Sequence, residues 1–151
     1  MIALIQRVTE ARVEVDGIAV GAIGRGILAL VGVERGDANQ QAERLVEKVL
    51  GYRIFPDGGE KVNLSLMDIK GGLLVVPQFT LAADTKTGTR AGFSTAASPD
   101  DGLRLFSLFV ELSKKKNPET KAGQFGVDMK VSLVNDGPVT FWLQVSPEKR
   151  S

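Results

Sequence analysis

The sequence predicts an α+β fold, mostly antiparallel β-sheets packed with two main helices, and two observations carry that reading. Runs in which apolar and polar residues alternate recur at Arg12-Val13-Glu14-Val15, Val127 to Leu133 and Val139 to Val145, the period of half-buried strands. Only two segments place apolar residues at helical spacing. The 151 residues fit one domain, in which folding buries roughly 70% of the surface the unfolded chain exposes. Residues 1–151 are accordingly read as one unit, without repeat, linker or low-complexity segment.

Asp16-Gly17 between Val15 and Ile18-Ala19-Val20 predicts a tight β-hairpin. Ile27 to Val33 is continuously apolar and reads as a more buried strand. Asp37 is the expected N-cap of the first helix, with Gln40 three residues on, Leu45, Val46, Val49 and Leu50 as its apolar face and Gly51 as its stop. Tyr52 to Phe55 is a short strand closed by Pro56-Asp57-Gly58-Gly59, and Leu73 to Val76 is another buried strand. Ala82 to Ala97 is polar, small and aperiodic, a loop long enough to suggest function. Ser98 caps the second helix with Pro99 at its first position. Its apolar stripe is Leu103, Phe106, Phe109, Val110 and Leu112, and Lys114-Lys115-Lys116 suits its C-terminal dipole before Asn117-Pro118 ends it. Two long strands follow, joined by an Asn135-Asp136-Gly137-Pro138 turn.

Composition excludes several chemistries. Without cysteine there are no disulfides, thiolate nucleophiles or Cys-type zinc sites. Histidine is absent too, which removes Ser-His-Asp and Cys-His catalysis and imidazole ligation of metals. Neither a metal nor a cofactor is expected. What remains for hydrolysis is a hydroxyl, a shifted carboxylate or lysine, oriented backbone N–H groups, or a group supplied by the substrate. Nineteen basic and eighteen acidic residues leave a net charge of +1, so contact with RNA would depend on local patches. The N-terminal residues carry no basic leader, and Ile27 to Val33 is too short to span a membrane. A cytoplasmic protein with no membrane association is expected.

Two segments combine into something specific: Pro77-Gln78-Phe79-Thr80-Leu81 after a buried strand, and Asn135-Asp136-Gly137-Pro138-Val139-Thr140 between two strands. Together they resemble the SQFTL and NxGPVT signatures of the D-aminoacyl-tRNA deacylase family, in the right order. The likeness extends to Met1 to Thr9, Leu50 to Phe55, Ala82 to Thr85 and Asp128 to Trp142. Pro77 stands where the family usually has Ser, and Arg90-Ala91-Gly92-Phe93 where it has Arg-Pro-Ser-Phe. Proline brings neither hydroxyl nor N–H, so a hydrogen bond made by that serine is lost.

The resemblance implies packed sheets flanked by helices, a homodimer with active sites at the subunit interface, and aminoacylated tRNA as partner. Gln78, Phe79 and Thr80 would form the catalytic site, with main-chain N–H groups facing the ester carbonyl. Gly137 and Pro138, joined by a cis peptide bond in the family, would enter the partner's pocket with Arg7 holding their carbonyls, and Met129 would join them in substrate binding and chiral selection. Lys86 and Arg90 would contact tRNA. The implied activity is hydrolysis of the ester of D-aminoacyl-tRNA, with mischarged glycyl-tRNA as a secondary substrate and L-aminoacyl-tRNA rejected. Thr80 is open as nucleophile or supporting group, and Asp84 and Asp128 are candidate carboxylates whose expected use is hydrogen bonding to neighbouring backbone. A non-catalytic RNA-binding module and a generic threonine-dependent esterase are the alternatives.

Overall fold

The computed structural model describes residues 1–59 and 61–147. Its spine is one long strand, β1 (Ile2–Val15). On one side the first half of β1 pairs antiparallel with β3 (Gly26–Gly32) and the second half with β2 (Ile18–Ile23). Asp16 and Gly17 link β1 to β2 with φ of 50° and 78°, the positive values that a two-residue hairpin turn requires.

The expected pair of C-terminal strands is instead a single strand, β8 (Lys130–Gln144), running antiparallel along the whole other side of β1 from Glu14↔Lys130 to Ile2↔Gln144. Asn135-Asp136-Gly137-Pro138 is therefore not a hairpin turn. Thr140 stands opposite Gln6 and Asn135 opposite Val8, so residues 136–139 face Arg7 alone and are pushed out of the ladder as an enlarged β-bulge. Turn-forming residues mark a bulge as readily as a reversal, which is why the sequence suggested the wrong one.

As expected, most strand pairings are antiparallel, but two are not. β3 pairs parallel with β6 (Gly72–Pro77), and β6 pairs parallel with β7 (Thr120–Ala122), a strand the sequence did not reveal. The continuous apolar character of β3 and β6 fits their place, since strands covered on both faces have no polar side to show. Gly26 faces Gly72 so closely that a Cβ there would lie 1.9 Å from the Gly72 carbonyl oxygen; neither start of this parallel pair admits a side chain. A separate ribbon joins β4 (Phe55–Pro56) to β5 (Val62–Leu64); Tyr52 to Ile54 precede it rather than belong to it.

Helices α1 (Asn39–Gly51) and α3 (Pro99–Lys116) cover one face of the sheet and pack on each other, with the short α2 (Leu66–Ile69) beside α1. Ala3, Ile5, Ile27, Ala29, Val31, Leu73 and Val75 meet Leu45, Val49, Leu105 and Phe109 in the main core. The alternate residues Leu28, Leu74 and Val76 join Val8, Ala11 and Val13 on the opposite face, as the two-residue period of strands dictates.

Three helix details differ from expectation. Ala38, not Asp37, is the N-cap of α1, and Gln41 Oε1 accepts from its N–H at 2.7 Å. Asp37 is turned inward, where its buried carboxylate lies 2.9 Å from the Met1 ammonium and accepts from the Glu34 N–H. Desolvation raises its pKa against the opposing pull of that ammonium and N–H group. Gly51 is the last helical residue and the chain leaves through an extended Tyr52 (φ −68°, ψ 130°), so no left-handed stop is used. In α3 the expected Ser98 cap accepts from Asp101 N–H at 3.3 Å, but Leu103 is exposed and the buried stripe runs through Gly102, Leu105, Phe106, Phe109 and Ser113.

Candidate active site

β6 delivers the first motif to the edge of the core. Gln78 N–H donates to the Val31 carbonyl at 2.8 Å, one residue after Pro77, so the amide missing at Pro77 does not break the link to β3. The chain then tightens into a 3₁₀ turn over Phe79–Ala82. In such a turn the N–H groups of the first residues have no carbonyl behind them within the helix. Those are the amides of Phe79 and Thr80, and both residues are exposed. Gln78 Nε2 donates to Thr80 Oγ1 at 2.5 Å, fixing both side chains.

Among the described residues no base is arranged for the Thr80 hydroxyl. Asp84 Oδ1 accepts from the Lys86 N–H at 3.0 Å, and Asp128 Oδ2 is 2.9 Å from Lys130 Nζ. That contact with Asp128 raises the pKa of Lys130. Both carboxylates serve local structure, a common use of aspartate next to loop backbone.

Beside the turn opens a cavity of about 620 Å³, walled by Pro77, Gln78, Phe79, Phe106, Phe125 and Met129 among others. That volume lies within the usual range for a small-molecule site. Met129 thus sits with Gln78 and Phe79, apart from the second motif with which it was grouped. The aromatic walls Phe106 and Phe125, 6.2 Å apart between ring centres, escaped the sequence reading because one was assigned to helix packing and the other follows no strand period.

The second motif forms its own rigid unit. Gly137-Pro138 is cis, as the resemblance implied, and Gly137 has φ of 136°. Asn135 accepts from Val139 N–H at 3.0 Å and donates to Thr140 Oγ1 at 2.9 Å. Arg7 does not hold the carbonyls of the dipeptide itself: its Nε donates to the carbonyl of the preceding Asp136 at 3.0 Å and its Nη1 to that of Ile54 at 2.7 Å. The guanidinium remains the anchor of the bulge, one residue upstream of the expected place.

Within one chain the two motifs do not meet. Arg7 lies opposite Ile27, and Ile27 opposite Leu73, while Pro77 is the last residue of β6. The four-residue offset and two strand spacings set the anchors roughly 13 Å apart along the sheet and about 10 Å across it. Neither Arg7, Gly137 nor Pro138 lines the cavity. Lys86 and Arg90 are exposed on the loop after the 3₁₀ turn, whose base is closed by the Asp84–Gly92 backbone pair.

Comparison with known proteins gives the chain its family. The family model described as D-Tyr-tRNA(Tyr) deacylase matches residues 4–144. A D-aminoacyl-tRNA deacylase of Thioalkalivibrio sulfidiphilus is 60% identical over 149 residues, 99% of this chain and 100% of the relative. One from Alkalilimnicola ehrlichii is 58% identical over 147 residues, 97% of this chain and 98% of the relative. A solved structure titled c-Myc DNA Unwinding Element Binding Protein superposes with a TM-score of 0.92 at 36% identity, covering 97% of this chain and 99% of that one. Matched from β1 to β8 by the family model and by relatives along their whole length, the chain belongs to the D-Tyr-tRNA(Tyr) deacylase family.

Proposed function

We propose that the protein hydrolyses the ester of D-aminoacyl-tRNA in the cytoplasm, releasing tRNA and the free D-amino acid as a chiral check on translation. The observation that carries this reading is the turn that follows Gln78, with the unengaged amides of the exposed Phe79 and Thr80, where Gln78 and Phe79 wall a cavity sized for an aminoacyl-adenosine end. An aminoacyl ester is already activated. Its hydrolysis needs a positioned water and stabilisation of the oxyanion, and loss of one oxyanion donor costs on the order of 10² to 10³ in rate in a known hydrolase.

In this mechanism water attacks the ester carbonyl and the Phe79 and Thr80 amides receive the developing negative charge. Collapse then breaks the carbon–oxygen bond, and the ribose oxygen leaves as a hydroxyl after taking a proton. The neighbouring ribose 2′-hydroxyl orients the water and relays that proton, a role for which the chain has no histidine. Gln78 and Thr80 hold the turn in shape. Lys86 and Arg90 contact the tRNA.

Chiral selection is assigned to Gly137-Pro138 of a second copy, inserted beside the α-carbon of the substrate. An L-side chain would collide with that backbone, whereas a D-side chain points away. Glycine, with no side chain to reject, is a secondary substrate. The test is a deacylation assay on D- and L-tyrosyl-tRNA with purified protein. Release from the D-ester, with the L-ester stable at matched enzyme concentration, is the expected result. Binding without turnover of either would point to an RNA-binding module, and equal turnover of both, or of simple esters, to a generic esterase.

A further inference from the structure

We infer that Phe93 is a positioning residue for the tRNA end: with Phe79 it forms an exposed two-ring platform on which the unpaired bases preceding the terminal adenosine stack. Phe79 is 60% and Phe93 47% exposed, although both rings are large apolar groups that folding normally covers. They lie against each other, 5.4 Å between centres and tilted by 42°.

The loop that carries Phe93 is fastened to keep it there. Asp84 and Gly92 exchange backbone hydrogen bonds of 2.7 and 2.9 Å immediately before it. Two residues after it, Thr95 donates its hydroxyl to the Ala82 carbonyl at 2.6 Å and accepts at its carbonyl from Arg35 N–H at 2.9 Å. An aromatic ring held outward on both sides by backbone contacts is a presented surface.

Its chemistry selects the occupant. Phe79 walls the cavity, and Phe93 lies against it on the loop that also carries the exposed Lys86 and Arg90. Unpaired nucleotides are recognised by aromatic faces for their bases and cations for their phosphates. The single-stranded CCA end of tRNA offers both, its terminal nucleoside entering the cavity and the preceding bases lying on the rings. This inference rests on the deacylase reading above.

The test compares wild type, F93A and F93W on D-tyrosyl-tRNA and on 2′(3′)-O-D-tyrosyl-adenosine, which lacks the preceding bases, with thermal midpoints as a folding control. For F93A, KM on the tRNA substrate should rise about 5- to 100-fold, the effect of losing one base–aromatic stack. Its kcat should stay within about twofold, hydrolysis of tyrosyl-adenosine should be unchanged, and F93W should restore KM. Equal losses on both substrates would make Phe93 a support for the catalytic turn, and no loss on tRNA would remove the platform; either overturns the inference. Binding of uncharged tRNA with and without its last three nucleotides separates this outcome from failure of the parent reading. F93A should weaken only the intact tRNA, whether or not wild type hydrolyses the ester.

Discussion

At the level of single residues, the chemistry turns on what Thr80 lacks. Its hydroxyl accepts from Gln78, and Asp84 and Asp128 are bound to Lys86 N–H and Lys130, so among the described residues no group stands ready to take its proton. Thr80→Ala leaves the amide in place. It should therefore retain deacylation within about tenfold of wild type, while D-aminoacyl-tRNA ending in 2′-deoxyadenosine should bind but react at least about 100-fold more slowly. Single-turnover rates for the two experiments decide the point, and the reverse pattern with a trapped acyl-enzyme would make Thr80 the nucleophile. The motif residues were legible because their order along the chain is distinctive. Phe93, Phe106 and Phe125 were not, since the pairing of Phe79 with Phe93 and the walls of the cavity are created by packing between segments remote in sequence.

The elements hold these residues through local devices of ordinary strength. The Ser98 cap was read directly from Ser98-Pro99, and it positions the start of α3 where Ser98 and Gly102 wall the cavity. Ser98→Ala should cost about 1 kcal/mol, measured by urea unfolding, with little effect on rate. The α2 cap was overlooked although Ser65 and Asp68 have the spacing of a capping box. Hydrogen bonds from the Ser65 N–H and hydroxyl keep the Asp68 carboxyl below its ordinary value of 3.8. Because the folded-state pKa is depressed, this contact contributes fully above that value and is lost as pH falls through the lower folded one. Thermal midpoints of wild type and Asp68→Asn, taken from pH 6 downward, should accordingly converge in acid; a constant gap would contradict the assignment. Strand β8 was mistaken for a hairpin because local turn chemistry says nothing of whether the chain returns on itself or continues along the same partner.

Across the whole molecule, the two motif segments lie apart within one chain. The cavity with Gln78, Phe79 and Met129 lies at the end of β6, while the Arg7-anchored bulge projects from β8 at another part of the sheet. In the proposed reading a symmetric dimer would close the separation, since a two-fold axis that brings one bulge to the partner's cavity necessarily does the same in reverse. Val134, Phe141 and Trp142 remain large and exposed on β8, apolar surface of the kind that subunit contact covers. The sequence could supply the two motifs but not their distance, which depends on the register of β1 with β3 and of β3 with β6.

The composite site is tested most directly by mixing two defective proteins. Thr80→Pro removes one of the two first-turn amide donors. Gly137→Ala places a Cβ 2.6 Å from Val139 Cγ2, at a φ of 136° that alanine resists, and so remodels the bulge. Each variant alone should be at least about 100-fold impaired on D-tyrosyl-tRNA. After subunit exchange in equal amounts, half of the dimers are mixed and each carries one intact site, so activity should return to about a quarter of wild type. No recovery in a mixture proven by mass spectrometry to contain heterodimers would contradict a site shared between chains.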